Sequence, residues 1–187
     1  SKAFDLGLTR SKIIEIAHVA EVSCRTGLGD VGAQAIGGLV IGLEPGAPPH
    51  GKWRQIPLEQ DMKIVCATLG PLSTKELLED AELRDRSRKF GGLALKSLLR
   101  QSAPQGFMKV SYEFSEGIGL LDDELRALIE AAKSAGAIGA SMVMLGRAVF
   151  ALVKAPELEK VKQAFSELVD LDAIFTPDFD ITGARLV

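Results

Sequence analysis

The sequence predicts an α+β fold that ends in an antiparallel sheet with helices packed on one face. A continuous apolar run at residues 62–69 is typical of a buried strand. After this run, the sequence predicts three helices, two strands, a helix and a strand, in that order. An antiparallel sheet with helices on one face buries the apolar residues of this pattern economically. The residues before this run are typical of part of a domain that mixes α-helices and β-strands. We therefore expect an incomplete first domain at residues 1–75 and a C-terminal domain at residues 76–187.

The first part of the chain alternates helical and strand patterns around a proline-rich segment. Thr9 is suited to cap a helix, because apolar residues follow it at helical spacing. Residues 44–51 contain three prolines and should form an exposed loop, since proline lacks the amide donor that a strand needs. We predict helices from Thr9 to about Cys24 and at residues 31–36, and strands at residues 38–43 and 52–56.

The second part is mostly helical before it returns to strands. Two apolar segments meet at Gly146–Arg147, which indicates a tight hairpin. Pro156 is suited to the first turn of a helix. We predict helices at residues 83–101, 105–116 and 122–135, strands on both sides of the hairpin turn, a helix from near Pro156 to near Val169, and a final strand at residues 181–186.

Composition excludes several classes of protein. The chain has 187 residues, is 47% hydrophobic and 25% charged, and carries a formal net charge of -3, so neither nucleic acid nor an anionic membrane is expected as a partner. Cys24 and Cys66 are isolated thiols, which makes a zinc site unexpected and favours a reducing cytoplasm. No apolar run approaches the roughly 18 residues of a membrane helix, and no signal peptide is visible.

The candidate site lies at a glycine turn between the first two predicted helices. Gly27 and Gly29 permit backbone conformations and close approaches that other residues exclude. Glu21 lies on the preceding helix and Asp30 follows the turn, so the two carboxylates can frame one space. Such a pair suits the binding of a divalent cation through oxygen ligands or the activation of a substrate hydroxyl. The alternative is a plain turn in which the aspartate caps the next helix.

Four stretches in this order resemble the superfamily of galactokinase, homoserine kinase, mevalonate kinase and phosphomevalonate kinase, and within it the archaeal pantoate kinases. They cover residues 17–31, residues 37–41 with 45–49, residues 70–76 and residues 136–146. The resemblance implies a two-domain small-molecule kinase fold, with ATP and Mg²⁺ as cofactors. The implied reaction is phosphorylation of a small hydroxy acid, pantoate to 4-phosphopantoate in archaeal coenzyme A biosynthesis. Mevalonate, homoserine or a sugar are the alternative substrates within the superfamily.

The resemblance also implies roles for individual residues. Asp30 matches the catalytic acidic residue near the accepting hydroxyl, and Glu21 matches the magnesium ligand. The substrate would meet Arg25, Gly27, Gly29, Ser73, Thr74 and Lys75. The nucleotide phosphates would meet the segment that contains Gly136, Gly139, Ala140 and Ser141. A pantoate carboxylate needs a cationic anchor, for which Arg25, Lys75 and Arg147 are the candidates.

The main departure from the superfamily pattern is at the start of the sequence. The chain begins at Ser1, and no glycine- and serine-rich phosphate-binding loop occurs in these residues. We expect this loop on an upstream segment or a partner chain, and we expect the 187 residues alone to turn over weakly or not at all. The alternative to a complete enzyme is a non-catalytic fragment or one subunit of a split kinase. The chain could also form a homodimer.

Overall fold

The computed structural model describes residues 6–27, 29–71, 79–144 and 146–185. The chain forms two compact units. The first unit ends at Pro57 and resumes at Asp180, and the second is Leu58–Phe179. The predicted division between residues 75 and 76 lies outside the described residues. Within the described ranges, no helix combines the length and apolar character needed to cross a membrane.

The first unit contains two helices and a two-stranded antiparallel sheet, in agreement with the predicted elements. The Thr9 hydroxyl caps the first helix by accepting from the Lys12 N–H at 3.2 Å. In the sheet, Leu39 lies opposite Ile56 and Gly42 lies opposite Trp53. The elements are α1 (Arg10–Cys24), α2 (Asp30–Ile36), β1 (Leu39–Glu44) and β2 (Lys52–Ile56).

The second unit is built on a four-stranded antiparallel sheet in the order β4-β5-β3-β6. The central pair β3 and β5 places Val65 opposite Ala151, and β4 places Ala140 opposite the same residue. The strands are β3 (Met62–Gly70), β4 (Gly139–Met142), β5 (Arg147–Lys154) and β6 (Ile174–Phe175). The helices are α3 (Ala81–Arg100), α4 (Pro104–Ile118), α5 (Asp123–Ser134) and α6 (Leu158–Ser166).

Strand alternation gives the sheet one fully buried face. Val149 and Val153 of β5 are both 0% exposed, and they lie on the same face because successive side chains of a strand point to opposite sides. This face packs against α5 through Ile129 and against α6 through Phe165. The predicted α+β class with an antiparallel sheet is confirmed, whereas the expectation of helices on one face only is not. On the opposite side, α4 adds cover where Met108 packs with Leu152 and Met62.

The prediction of a final strand at residues 181–186 is wrong for the described residues of that range. The last strand of the described residues is Ile174–Phe175, where Ile174 lies opposite Ala67 of β3. The Asp180 carboxylate instead accepts from the Thr182 N–H at 2.9 Å and the Gly183 N–H at 3.1 Å. These two backbone N–H groups therefore bind the Asp180 side chain and not a neighbouring strand. Aspartate side chains often compete in this way with helices and sheets for backbone hydrogen bonds.

Candidate functional site

An acidic pair closes over the glycine turn in the first unit. Glu21 lies in the last turns of α1 and Asp30 is the first residue of α2. Gly27 is buried between them, and a Cβ there would lie 2.5 Å from Asp30 Oδ2 and 2.7 Å from Glu21 Oε1. A side chain at this position would collide with both carboxylates, so glycine is what allows the two groups to meet. The structure thus brings Glu21, Gly27 and Asp30 together, as the sequence predicts.

The end of α1 sets the position of Glu21. Arg25 adopts the left-handed conformation (φ 55°), the one non-glycine residue with positive φ in the described ranges. Its N–H donates to the Val22 carbonyl at 3.2 Å, and the Thr26 N–H donates to the Glu21 carbonyl at 3.1 Å. These bonds satisfy carbonyl groups that a helix end leaves without intrahelical partners. The chain therefore turns sharply after Glu21 and returns Gly27 and Asp30 to its side chain.

Burial and like charge destabilise the ionised form of Glu21. Burial first, and the charge of Asp30 second, raise the pKa of Glu21 above its ordinary value of 4.5. The charge of His18 and a hydrogen bond from the Val31 N–H act in the opposite direction, and do not cancel the rise in pKa. His18 lies three residues before Glu21 and so shares its helix face. This spacing is therefore a sequence signal of contact between His18 and Glu21.

Glu21 carries an acceptor that no described residue satisfies. Its Oε2 atom is the one side-chain oxygen or nitrogen in the described part of the chain that is buried without a hydrogen-bond partner. Leaving a buried acceptor unpaired costs roughly 1–3 kcal/mol. Asp30 beside it is exposed, so the pair is accessible from solvent. A cation between the carboxylates would satisfy the orphan oxygen and neutralise the like charges.

The donor set fits magnesium better than a transition metal. Mg²⁺ prefers oxygen ligands and is usually held by one or two carboxylates together with substrate phosphates. Glu21 and Asp30 supply two carboxylates, and within residues 6–27, 29–71, 79–144 and 146–185 no group of three or more His, Cys, Asp or Glu is placed to hold an ion. The remaining ligands of such an ion would have to come from substrate or water.

The other predicted substrate residues of the first unit are exposed, or lie outside the described residues. Arg25 is exposed at the C-terminal cap of α1. Gly29 is exposed, and a Cβ at this position would have no heavy atom within 4 Å. Ser73, Thr74 and Lys75 lie outside the described residues.

The predicted nucleotide segment begins at an exposed turn of the second unit and continues into its interior. Gly136 is exposed after α5 and has φ +97°. Gly139 faces α4, where a Cβ would lie 2.5 Å from the Met108 Cβ. Ala140 is 1% exposed, and Ser141 is 0% exposed, with its hydroxyl 3.3 Å from that of Ser115. Helix–sheet packing accounts for these small residues, and their contact with a nucleotide stays a prediction.

Arg147, a candidate anchor for a substrate carboxylate, is engaged within the second unit. Its guanidinium pairs with Asp122 at 2.8 Å and with Glu124. Although partial burial alone would raise it, the pKa of Asp122 is lowered by a hydrogen bond from the Leu125 N–H and by the pairing with Arg147. Two carboxylates therefore already compensate the charge of Arg147, which makes it a poor anchor.

Comparison with known proteins confirms the predicted resemblance. Residues 81–171 match the family described as GHMP kinases C terminal. A curated relative named pantoate kinase, from Thermococcus kodakarensis, is 35% identical over 177 residues, which are 93% of this chain and 58% of the relative. The chain thus spans a little over half the length of that relative.

Solved structures agree with this assignment. A structure titled "Phosphotransferase related to CoA biosynthesis pathway" superposes with a TM-score of 0.82 at 31% identity, over 98% of this chain and 58% of the other. The L. major mevalonate kinase, in complex with R-mevalonate, superposes with a TM-score of 0.66 at 18% identity, over 97% of this chain and 61% of the other. The second match, at this identity, shows likeness of fold alone.

Proposed function

We propose that the chain is part of an ATP-dependent kinase that phosphorylates a small hydroxy acid, because residues 81–171 match the family described as GHMP kinases C terminal. Pantoate, converted to 4-phosphopantoate, is the proposed substrate. The names of the relatives at 31–35% identity support this choice over mevalonate, homoserine or a sugar. The observation that carries the proposal is the buried, unpartnered Glu21 Oε2 beside the Asp30 carboxylate.

Glu21 and Asp30 have different roles in the proposed reaction. Glu21, partly buried and with an unsatisfied oxygen, would hold Mg²⁺. When bound, this ion would neutralise negative charge on the ATP phosphates. Asp30 is exposed, so a substrate hydroxyl can reach it. The Asp30 carboxylate would orient that hydroxyl and accept its proton as the hydroxyl oxygen forms a bond to the γ-phosphorus of ATP. The bond between the γ-phosphorus and the oxygen that bridges to the β-phosphate would break, and ADP would leave.

The substrate carboxylate is the group that Arg25 would recognise. Arg25 caps the helix that carries Glu21 and is exposed at the turn. A guanidinium presents a planar fork of donors that matches a carboxylate. This distinguishes a hydroxy acid from a neutral sugar, because only the acid offers the anion that the arginine binds. Lys75, the other cationic candidate in the sequence, lies outside the described residues.

The activity is proposed for a larger protein or assembly than these 187 residues. The chain spans 58% of the Thermococcus relative, and α1 exposes Ile13, Ile16 and Val19 by 42%, 48% and 55%. An apolar surface of this kind is typical of a protein contact. We expect the residues that the relatives carry outside the matched region to cover it, in the same chain or as a second chain. A homodimer that buries α1 is the other outcome, and native mass spectrometry distinguishes the two.

An assay of ATP-dependent phosphorylation tests the proposal. The protein is assayed as purified with any partner chain, with pantoate, mevalonate and homoserine compared as acceptors. Asp30→Asn should lower kcat by about 10² or more, the range expected for loss of a general base. Asp172→Asn, which changes an exposed aspartate of the second unit, should leave kcat unchanged. Equal rates for Asp30→Asn and the unmodified protein would overturn the assignment of Asp30.

A further inference from the structure

The C-terminal end of α2 is completed by residues from distant parts of the sequence. The last carbonyl groups of a helix have no intrahelical donors. In α2 the Gln34 carbonyl accepts from the Ala184 N–H at 2.8 Å. The Ala35 carbonyl accepts from the Arg10 guanidinium. Two of these carbonyl groups are therefore held by the start of α1 and by the segment that returns to this unit at Asp180.

Two glycines let the returning backbone approach α2 closely. A Cβ at Gly183 would lie 2.1 Å from the Ala35 carbonyl oxygen, and Gly183 has φ +74°. A Cβ at Gly37 would lie 2.4 Å from the Gly183 nitrogen, and Gly37 has φ +80°. Any other residue at either position would separate the two backbones and would adopt a strained conformation. Both glycines are buried.

Polar side chains fix the returning segment in this place. The Asp180 carbonyl accepts from the Gly38 N–H at 2.7 Å. The Asp180 carboxylate binds the Arg185 guanidinium at 2.6 Å, in addition to the donors of its own turn. The Gln55 amide donates to the Gly37 carbonyl at 2.9 Å and to the Ile181 carbonyl at 3.1 Å, so it joins the two segments. We call residues 180–185, with these contacts, the C-terminal latch.

The opposite end of α2 carries the acidic pair. Asp30 is its first residue, and the next backbone N–H, that of Val31, donates to the Glu21 carboxylate. The helix has only 7 residues, a length of about 10 Å at 1.5 Å per residue. A shift at its latched end is therefore transmitted to Asp30 and Val31, since so short a helix moves as one piece.

We infer that the C-terminal latch positions the acidic pair, by holding α2 so that Asp30 and the Val31 N–H meet the Glu21 carboxylate. This inference rests on the proposed function, in which that pair binds Mg²⁺ and the accepting hydroxyl. Gly183, Gln55 and Asp180 are positioning residues in this scheme, because they act through α2 and do not touch the pair.

The test compares two strained glycine substitutions in the protein as purified, with any partner chain. Gly183→Ala places a methyl group against the Ala35 carbonyl. Gly46→Ala is the matched control, because Gly46 has φ +102° in the turn between β1 and β2, where its nearest neighbours lie 4.0 Å away. The readouts are Mn²⁺ affinity by electron paramagnetic resonance and hydrogen exchange of the Val31 amide. Both are measured well below the unfolding midpoint of each variant.

We expect Gly183→Ala to weaken Mn²⁺ binding by about 10-fold, the lower end of the effect of removing a group that orients a metal ligand, and to speed exchange at Val31. Gly46→Ala should lower the unfolding midpoint and change neither readout. If Gly183→Ala behaves like Gly46→Ala in both readouts, the latch only stabilises the fold and the inference is wrong.

Two further outcomes are covered. If the unmodified chain binds no Mn²⁺, the metal role in the proposed function fails, and the latch is then judged by Val31 exchange alone. If Gly183→Ala does not fold, Gln55→Met takes its place, because it removes only the amide that bridges Gly37 and Ile181. Unchanged Val31 exchange in that variant would overturn the latch.

Discussion

Gly27→Ala should move the two carboxylates of the acidic pair apart without unfolding the chain. Gly27 is absent from the glycines with positive φ, so its backbone can accommodate alanine. The new Cβ would lie 2.5 Å from Asp30 Oδ2 and 2.7 Å from Glu21 Oε1, whereas ordinary contact begins at 3.4 Å. The two oxygens must therefore retreat by about 0.9 Å and about 0.7 Å. Both atoms lie at the ends of flexible side chains, so the fold survives while the pair is spread.

Displacements of this size should be visible in metal binding. A misplacement of about 1 Å can cost about 10²-fold in a reaction that depends on alignment. We expect a loss of about 10-fold in Mn²⁺ affinity, with an unfolding midpoint close to that of the unmodified chain. Electron paramagnetic resonance and circular dichroism measure the two quantities. Gly92→Ala, where a Cβ has no neighbour within 4 Å, is the control for the substitution itself. Unchanged affinity in a folded Gly27→Ala protein would refute a metal site at these oxygens.

Three further predictions concern stability. Glu21→Gln should raise the free energy of unfolding at pH 7 and change it little below pH 4.5, the ordinary pKa of glutamate. The pKa of Glu21 is raised in the folded chain, so the stability that its protonated form provides is lost as the pH rises through that raised value. Urea unfolding of both proteins across this pH range measures the difference, and a larger gain in acid than at pH 7 would contradict the prediction. Gly92→Ala should raise the free energy of unfolding by about 0.5–1 kcal/mol, because alanine replaces glycine inside α3 without a clash, and a loss would show that this helix is packed differently. Phe165→Ala should lower it by about 3–5 kcal/mol, since Phe165 is 0% exposed in the core under the sheet, and a change under about 1 kcal/mol would contradict that core.

Local signals made most of the fold predictable. Thr9 caps α1 as expected, and the apolar run at residues 62–69 forms the central strand β3. The error at the end of the chain has a physical cause. Asp180 turns the backbone on itself through Thr182 and Gly183, and aspartate and glycine so close together are typical of a turn.

The candidate site was predictable only in part. Residue types and spacing were enough to bring Glu21 and Asp30 together across a glycine turn. They could not show that one oxygen of Glu21 is buried without a partner, because that depends on packing. Nor could they show that Gln55 binds Ile181, 126 residues away. In the second unit, the resemblance implies a nucleotide contact at Gly139 and Ser141, and the sequence could not show that α4 packs against these residues.

Glu21, beside Asp30, is the proposed carboxylate ligand of a divalent cation. The most direct measurement is an anomalous difference map from crystals of the protein grown with Mn²⁺ and ATP. We expect a manganese peak at about 2.0–2.2 Å from Glu21 Oε2, a distance typical of a small divalent ion and a carboxylate. A map with no peak at Glu21, in which Oε2 accepts a hydrogen bond from a protein donor instead, would contradict this proposal.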